Sequence, residues 1–292
     1  MYKESKWASE LLRLQGQDGS WGNFHSLSDP KKQASTTEQA LRRLRILGYT
    51  IEDEPIQRAV RYMRACLSGR NQIPDRREKT HDWDVFTELI LATWIRTFTN
   101  EDSYANAVAD KWAQIISASF SGGAYDHQAY LASYKSAIGK MPRGERLIDF
   151  VSFYQVSLVA DKLDEKVEML SFDHILNHKS GLYYIYGNPA ENTPLSVLPD
   201  CFHSKLSSRY LGAFELLSAY RRNLERLHFV ADWIQLHQNE NGSWDMGSTV
   251  ADKLYFPLSD SWRQRADREK DCTYRIKKLL HSLQAGERGE GV

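Results

Sequence analysis

Two aspartates stand two residues apart in "HDWDVFTE", Asp82 and Asp84, with Trp83 between them and Phe86 just after. A carboxylic acid in a dry, hydrogen-bonded setting can keep its proton and deliver it. Aromatic faces can then stabilise the cation that results. Trp83, Phe86, Trp94, Tyr154 and Tyr210 are rings that can serve in this way. The same pair also reads as helix-start chemistry, with Asp82 as N-cap and Asp84 as a first-turn acid facing the helix dipole. Paired acids beside an aromatic platform suit sugar chemistry as well.

Other chemistry-bearing residues lie further along. "PDCFH" places Asp200, Cys201 and His203 together, and "KDCT" places Asp271 beside Cys272, with His281 later. Cys201 with His203, or Asp271 with Cys272, are the candidate zinc sites. Both also fit caps and surface loops, and the expectation is a protein without a metal or other cofactor. Arg209, Arg268 and Arg275 can hold a diphosphate. Arg275 also stands four residues after Asp271, the spacing of a helical ion pair. No P-loop, Rossmann glycine turn, G-x-S-x-G elbow or H-E-x-x-H pattern is present.

The elements that must position these groups are helices. Five amphipathic stretches, Glu4–Leu14, Ile56–Leu67, Tyr104–Ser119, Asp164–Asn177 and Leu224–His237, alternate with five more apolar ones. The second set is expected near Gln33–Leu47, Asp82–Phe98, Arg146–Ala160, Ser204–Tyr220 and Glu269–Leu283. "DVFTELILATWIRTF" is apolar around most of its circumference, as a helix buried on all sides must be. "DHQAYLASYKSAIGKMP" reads as an additional short helix. "GLYYIYG" is the best local strand candidate, but it falls where the repeat expects a turn. "FPLSDSWR", Phe256–Arg263, is a long connection that can lid a cavity or cross its edge.

Gly-aromatic turns follow several amphipathic helices. Gln15, Gly19 and Trp21 recur at identical spacing as Gln238, Gly242 and Trp244, with weaker copies at Gly123/Tyr125 and Gly181/Tyr183. The glycine permits a positive φ, the tryptophan folds back on its helix, and the glutamine reaches a neighbouring helix end. "QGQDGSW" and "QNENGSW" resemble the QW repeats of the terpenoid cyclase / protein prenyltransferase superfamily, those of squalene-hopene-type cyclases above all. The resemblance implies an all-α fold, a closed α/α toroid of about five to six helix hairpins. One domain is expected over residues 1–285, and the C-terminal "AGERGEGV" reads as a frayed end, with 286–292 as a flexible tail.

It also implies a central cavity reached from the N-terminal ends of the inner helices. The relevant stretches are "STTEQ", "THDWD", "CFHSKLSSR" and "REKDCTYR". Class II cyclases carry an Asp-x-Asp-Asp motif there, and its middle acid protonates an alkene or epoxide. Asp82 and Asp84 match the first two acids, and Val85 replaces the third. By that carry-over Asp84 is the proton donor and Asp82 its partner. Trp83, Phe86, Tyr154, Arg209, Tyr210 and Arg275 contact substrate. Prenyltransferase β subunits hold zinc through Asp and Cys two apart plus a distant His, a spacing that neither cysteine here reproduces. The expected function is handling of an isoprenoid or other apolar small molecule. The alternatives are a non-catalytic toroid that binds a protein partner or a further copy of itself, and a carbohydrate-active α/α barrel.

Composition narrows the partners. Lys+Arg and Asp+Glu are both 38 in 292 residues, so no basic excess points to nucleic acid. No stretch is apolar enough to be read as a membrane span, and no signal peptide is read at the N-terminus. Three scattered cysteines fit reduced thiols, so the expected location is cytoplasmic.

Overall fold

The structure is a computed structural model that describes residues 2–28, 35–79, 82–182, 193–251 and 254–284. The fold is all-α, with no β-strand among the described residues. Tyr183, most of "GLYYIYG", the expected helix start at Gln33 and the tail 286–292 lie outside the described residues. Among the described residues no helix is long and apolar enough to cross a membrane.

The chain divides into two compact units. Unit 1 comprises Met1–Ser121, Asp126–Phe150 and Tyr154–Lys162. Unit 2 comprises Gly122–Tyr125, Val151–Phe153 and Leu163–Val292.

In unit 1 the helices are α1 (Lys6–Leu14), α2 (Thr37–Leu47), α3 (Glu54–Leu67), α4 (Trp83–Phe98), α5 (Ser103–Ser119) and α6 (His127–Ile138). Their starts follow local sequence. Ser5 Oγ accepts from Ala8 N, Thr36 and Gln39 form a reciprocal capping box, and Asp102 accepts from Ala105 N. α4 is buried around its circumference, with Val85, Phe86, Leu89, Ile90, Leu91, Trp94 and Ile95 all in the core. α3 and α5 pack against it, and α6 packs on α5.

One expected inner helix is shorter than its sequence suggests. Arg146–Ala160 yields only α7, Phe153–Leu158, whose last five residues belong to unit 1. Gly144, at φ 104°, turns the chain at Leu147. Gln155 Nε2 then takes the Arg146 carbonyl at 2.5 Å, and the Tyr130 hydroxyl takes the Leu147 carbonyl at 2.7 Å. Side chains occupy two acceptors that an earlier helix start would have used.

Unit 2 holds α8 (Glu165–Asn177), α9 (Lys205–Leu217), a 3-10 helix at Arg221–Leu227, α10 (His228–Leu236) and α11 (Arg265–Gln284). α8 and α9 are capped by Asp164 and Ser204. α11 packs on α10 and on the 3-10 helix.

The two strong Gln-Gly-Trp turns have the same internal wiring. Trp21 Nε1 donates to the Leu11 carbonyl at 2.8 Å, and Trp244 Nε1 donates to that of Ile234 at 2.7 Å. Gln15 Nε2 donates to the Gly19 carbonyl at 2.9 Å, and Gln238 Nε2 to that of Gly242 at 3.0 Å. Each tryptophan backbone N–H donates to a threonine hydroxyl of the next apolar helix, Thr37 at the start of α2 or Thr273 within α11, at 2.9 Å. The turns are therefore staples between helices.

They differ in one respect. Gln15 Nε2 also reaches the Pro55 carbonyl in the first turn of α3, at 2.8 Å. Gly19, at φ 92°, lies so close to α3 that a Cβ there would meet the Arg58 carbonyl oxygen at 2.5 Å. Arg58 Nη2 in turn donates to the Gly16 carbonyl at 2.5 Å. Gly242 has only Gln238 Nε2 near it, at 3.7 Å, among the described residues.

Candidate functional site

The expected acid pair separates in character at the start of α4. Asp82 occupies the N-cap position, yet its side chain makes no capping bond. It is buried, Oδ1 lies 3.1 Å from Lys140 Nζ, and Oδ2 has no hydrogen-bond partner. Asp84 is the second residue of α4, in its first turn, and points to solvent. Its side chain is 70% exposed and pairs with Arg77 at 2.7 Å. The alternation follows helix geometry, since residues two apart face nearly opposite sides.

Beside this helix start lies a cleft of about 620 Å³. Its apolar wall includes Leu67, Ile73, Trp83, Val85, Leu91 and Ile138. Its charged rim carries two ion pairs, Arg77–Asp84 and Lys111–Glu88, the latter at 2.6 Å. Cys66 also lines it, and burial pushes its thiol up to about 11. At neutral pH that thiol stays protonated and is a poor nucleophile.

Of the aromatic residues expected beside the acids, Phe86, Trp94 and Tyr154 assemble around a different carboxylate. Phe86 packs edge-on to Tyr154 at 5.5 Å and lies 6.2 Å from Trp83. The Tyr154 hydroxyl donates to Glu38 Oε1 at 2.8 Å, as does Trp94 Nε1 at 2.9 Å. Ser26 N donates to Glu38 Oε2 at 2.7 Å. Glu38 is fully buried in the first turn of α2. It lies within "STTEQ", a stretch legible as a helix mouth, but its partners arrive from 56 and 116 residues away.

A buried base and cation complete the cluster. Arg146 Nη1 lies 2.8 Å from His25 Nε2, and its guanidinium sits 5.2 Å over the Phe86 ring. A guanidinium only donates, so His25 accepts through Nε2 and carries its proton on Nδ1. Nδ1 is buried without a partner. Burial first, and Arg146 second, lower the His25 pKa, against an opposing pull from Glu38. Asp75 holds the loop in place through the backbone N–H groups of Phe24, at 2.5 Å, and His25, at 2.9 Å.

The remaining expected residues lie in unit 2. Tyr210 packs on Phe214 at 4.6 Å and Trp233 at 5.4 Å, and burial raises its phenol pKa. Arg209 is half-buried near the start of α9. Arg275 does not pair with Asp271. It forks onto Glu215, Nη2 to Oε2 at 2.6 Å, and stacks 3.6 Å over Tyr255. Asp271 instead pins the Phe256–Arg263 connection, accepting from Leu258 N, Ser259 N and Trp262 Nε1 at 2.8–2.9 Å. Arg268 forks onto Asp245. The expected diphosphate arginines Arg268 and Arg275 thus hold carboxylates.

Cys201 is exposed, while Cys272 is buried and its thiol is pushed up to about 11 by burial. Among the described residues no three His, Cys, Asp or Glu side chains gather as a metal site. Comparison with protein families, curated proteins and solved structures found no match.

Proposed function

We propose that this chain handles an isoprenoid or other apolar small molecule, as the resemblance to cyclases and prenyltransferases suggests, and that the cleft beside α4 receives it. The observation that carries this reading is the cleft itself, about 620 Å³ with an apolar wall built on Trp83, Leu91 and Ile138 and an ion-paired rim. That volume and that distribution of polarity suit a small molecule with an apolar body.

Binding is better supported than acid-initiated chemistry. Protonating an alkene calls for a dry acid, and Asp84 is solvated and paired with Arg77. Asp82 is buried, but its Oδ1 is already held by Lys140 Nζ at 3.1 Å. The non-catalytic alternative is therefore favoured for this acid pair.

The test has two parts. Native mass spectrometry of the purified protein, and titration with farnesyl diphosphate and with squalene, read binding directly. Trp83→Ala is expected to weaken it at least tenfold and Asp84→Asn to change it less than threefold. Absence of binding to both probes and of any co-purified lipid would remove the proposal. Turnover of squalene that Asp84→Asn abolishes would restore Asp84 as the acid.

A further inference from the structure

Granted that the cleft beside α4 takes an apolar small molecule, its charged side chains decide how that molecule ends. Among the described residues, Asp75, Asp84 and Glu88 line it against Arg77 and Lys111. Asp84 and Glu88 stand one turn apart on α4, and each is held by a cation from another segment. Arg77 Nη2 donates to Asp84 Oδ2 at 2.7 Å, and Lys111 Nζ to Glu88 Oε2 at 2.6 Å. Asp75 is held differently. Its carboxylate accepts from the Phe24 and His25 backbone N–H groups and from the Ser28 hydroxyl, all of them neutral. Lys140, two residues past the lining Ile138, is taken by Asp82 at 3.1 Å.

Neither sign of ligand charge meets an uncommitted partner in this arrangement. A diphosphate binds where arginine or lysine is free to hold it. Here it would have to displace Asp84 or Glu88 and would still face the lining carboxylates, which outnumber the lining cations. It would also lose hydration beside an apolar wall. An ammonium fares no better, because each lining carboxylate already has its donors. The neutral polar groups differ. Asn71 and Gln72 line the same cleft, are exposed, and carry amides that both donate and accept. Asn71 Oδ1 takes the Gln72 N–H at 2.8 Å, so Gln72 is the amide with donor and acceptor both unengaged among the described residues. An amide satisfies a hydroxyl without disturbing any ion pair. We propose that the ligand of this cleft is an apolar molecule ending in an uncharged hydroxyl, an alcohol rather than a diphosphate, received at that end by Gln72 and Asn71.

The polar and apolar contributions come from different segments. Asn71 and Gln72 follow the end of α3, while Trp83 and Leu91 belong to α4 and Ala137 and Ile138 to the end of α6. A molecule with one polar end and one apolar body matches that division, whereas a plain hydrocarbon leaves the amides unused. Selectivity against anions comes from a repulsive element, the Asp75 charge that no cation of the cleft balances. Repulsion of that kind weakens as salt screens it.

Calorimetric titration of the full chain with ligands of one carbon skeleton tests this: farnesol, farnesylamine, farnesyl diphosphate and the hydrocarbon farnesene. Farnesol is expected to bind best, about tenfold or more tighter than the diphosphate at low salt. Raising salt from about 20 to about 500 mM should narrow that gap. Glu88→Gln, which releases Lys111, should narrow it about fivefold. Gln72→Leu should erase the advantage of farnesol over farnesene. Circular dichroism checks that each variant folds, and the salt series needs no variant. Diphosphate or amine binding as tightly as farnesol overturns the proposal, and so does a gap that neither salt nor Glu88→Gln moves. Binding of farnesene or squalene with no preference for farnesol leaves the apolar cleft standing and overturns the hydroxyl end. If none of these ligands binds and no lipid co-purifies, the apolar cleft itself falls and the alcohol with it.

Discussion

The Tyr154 hydroxyl and Glu38 Oε1 are 2.8 Å apart, with both side chains in the core of unit 1. Tyr154→Phe removes that donor and leaves Oε1 with Trp94 alone. The expected loss is about 1–3 kcal/mol, because a buried acceptor loses part of its solvation substitute. Urea denaturation of the variant measures it, and a loss below about 0.5 kcal/mol would show that the bond contributes little.

The two glycines of the strong turns should respond unequally. Gly19→Ala meets the Arg58 carbonyl oxygen at 2.5 Å and also strains a φ of 92°. Gly242→Ala strains its φ of 77° but meets nothing closer than Gln238 at 3.7 Å. The second change should cost about 1–2 kcal/mol and the first clearly more. Thermal unfolding of both variants checks the order.

Stability should fall on mild acidification because of His25. Its folded-state pKa is lowered, so the unfolded chain binds the proton more readily. The stability that this histidine contributes is complete above its ordinary value of 6.5. It is lost as pH falls from there toward the folded pKa. The slope approaches about 1.4 kcal/mol per pH unit at most. Comparing unfolding between pH 7 and pH 5 for wild type and His25→Gln isolates it, and the variant's profile should be flatter over that range.

Asp82 and Asp84 should separate in stability as they do in burial. Asp84→Ala removes a solvent-exposed pair with Arg77 and should cost less than about 0.5–1 kcal/mol. Asp82→Ala empties a buried place beside Lys140 and should cost about 1–3 kcal/mol. Equal effects on the melting temperature would contradict the difference in their surroundings.

Much of the helical order was legible because its signals are local. Asp102, Asp164 and Ser204 cap their helices, and α4 carries an unbroken apolar circumference. The turn wiring at Trp21 and Trp244 follows from the Gln-Gly-Trp spacing. The site was less legible. Asp84 was read as the candidate acid from a two-residue spacing, but whether it faces solvent depends on where α3 and α5 pack around α4. Glu38 carried no signal apart from its place in a helix mouth, since Trp94 and Tyr154 reach it from distant segments. Arg275 sat at ion-pair spacing from Asp271, yet α9 offered it Glu215, while Asp271 was claimed by backbone N–H groups of the preceding loop.

The threonine bond of each turn distinguishes what the repeat fixes from what it lets drift. Trp21 meets Thr37 across 16 residues, whereas Trp244 meets Thr273 across 29, with the same 2.9 Å geometry. The intervening chain has lengthened without disturbing the anchor at either end. The added length is itself built into the unit, with Met246, Leu254, Tyr255, Phe256 and Leu258 all buried, so trimming this span to the length of the first copy would empty core rather than shorten a loop.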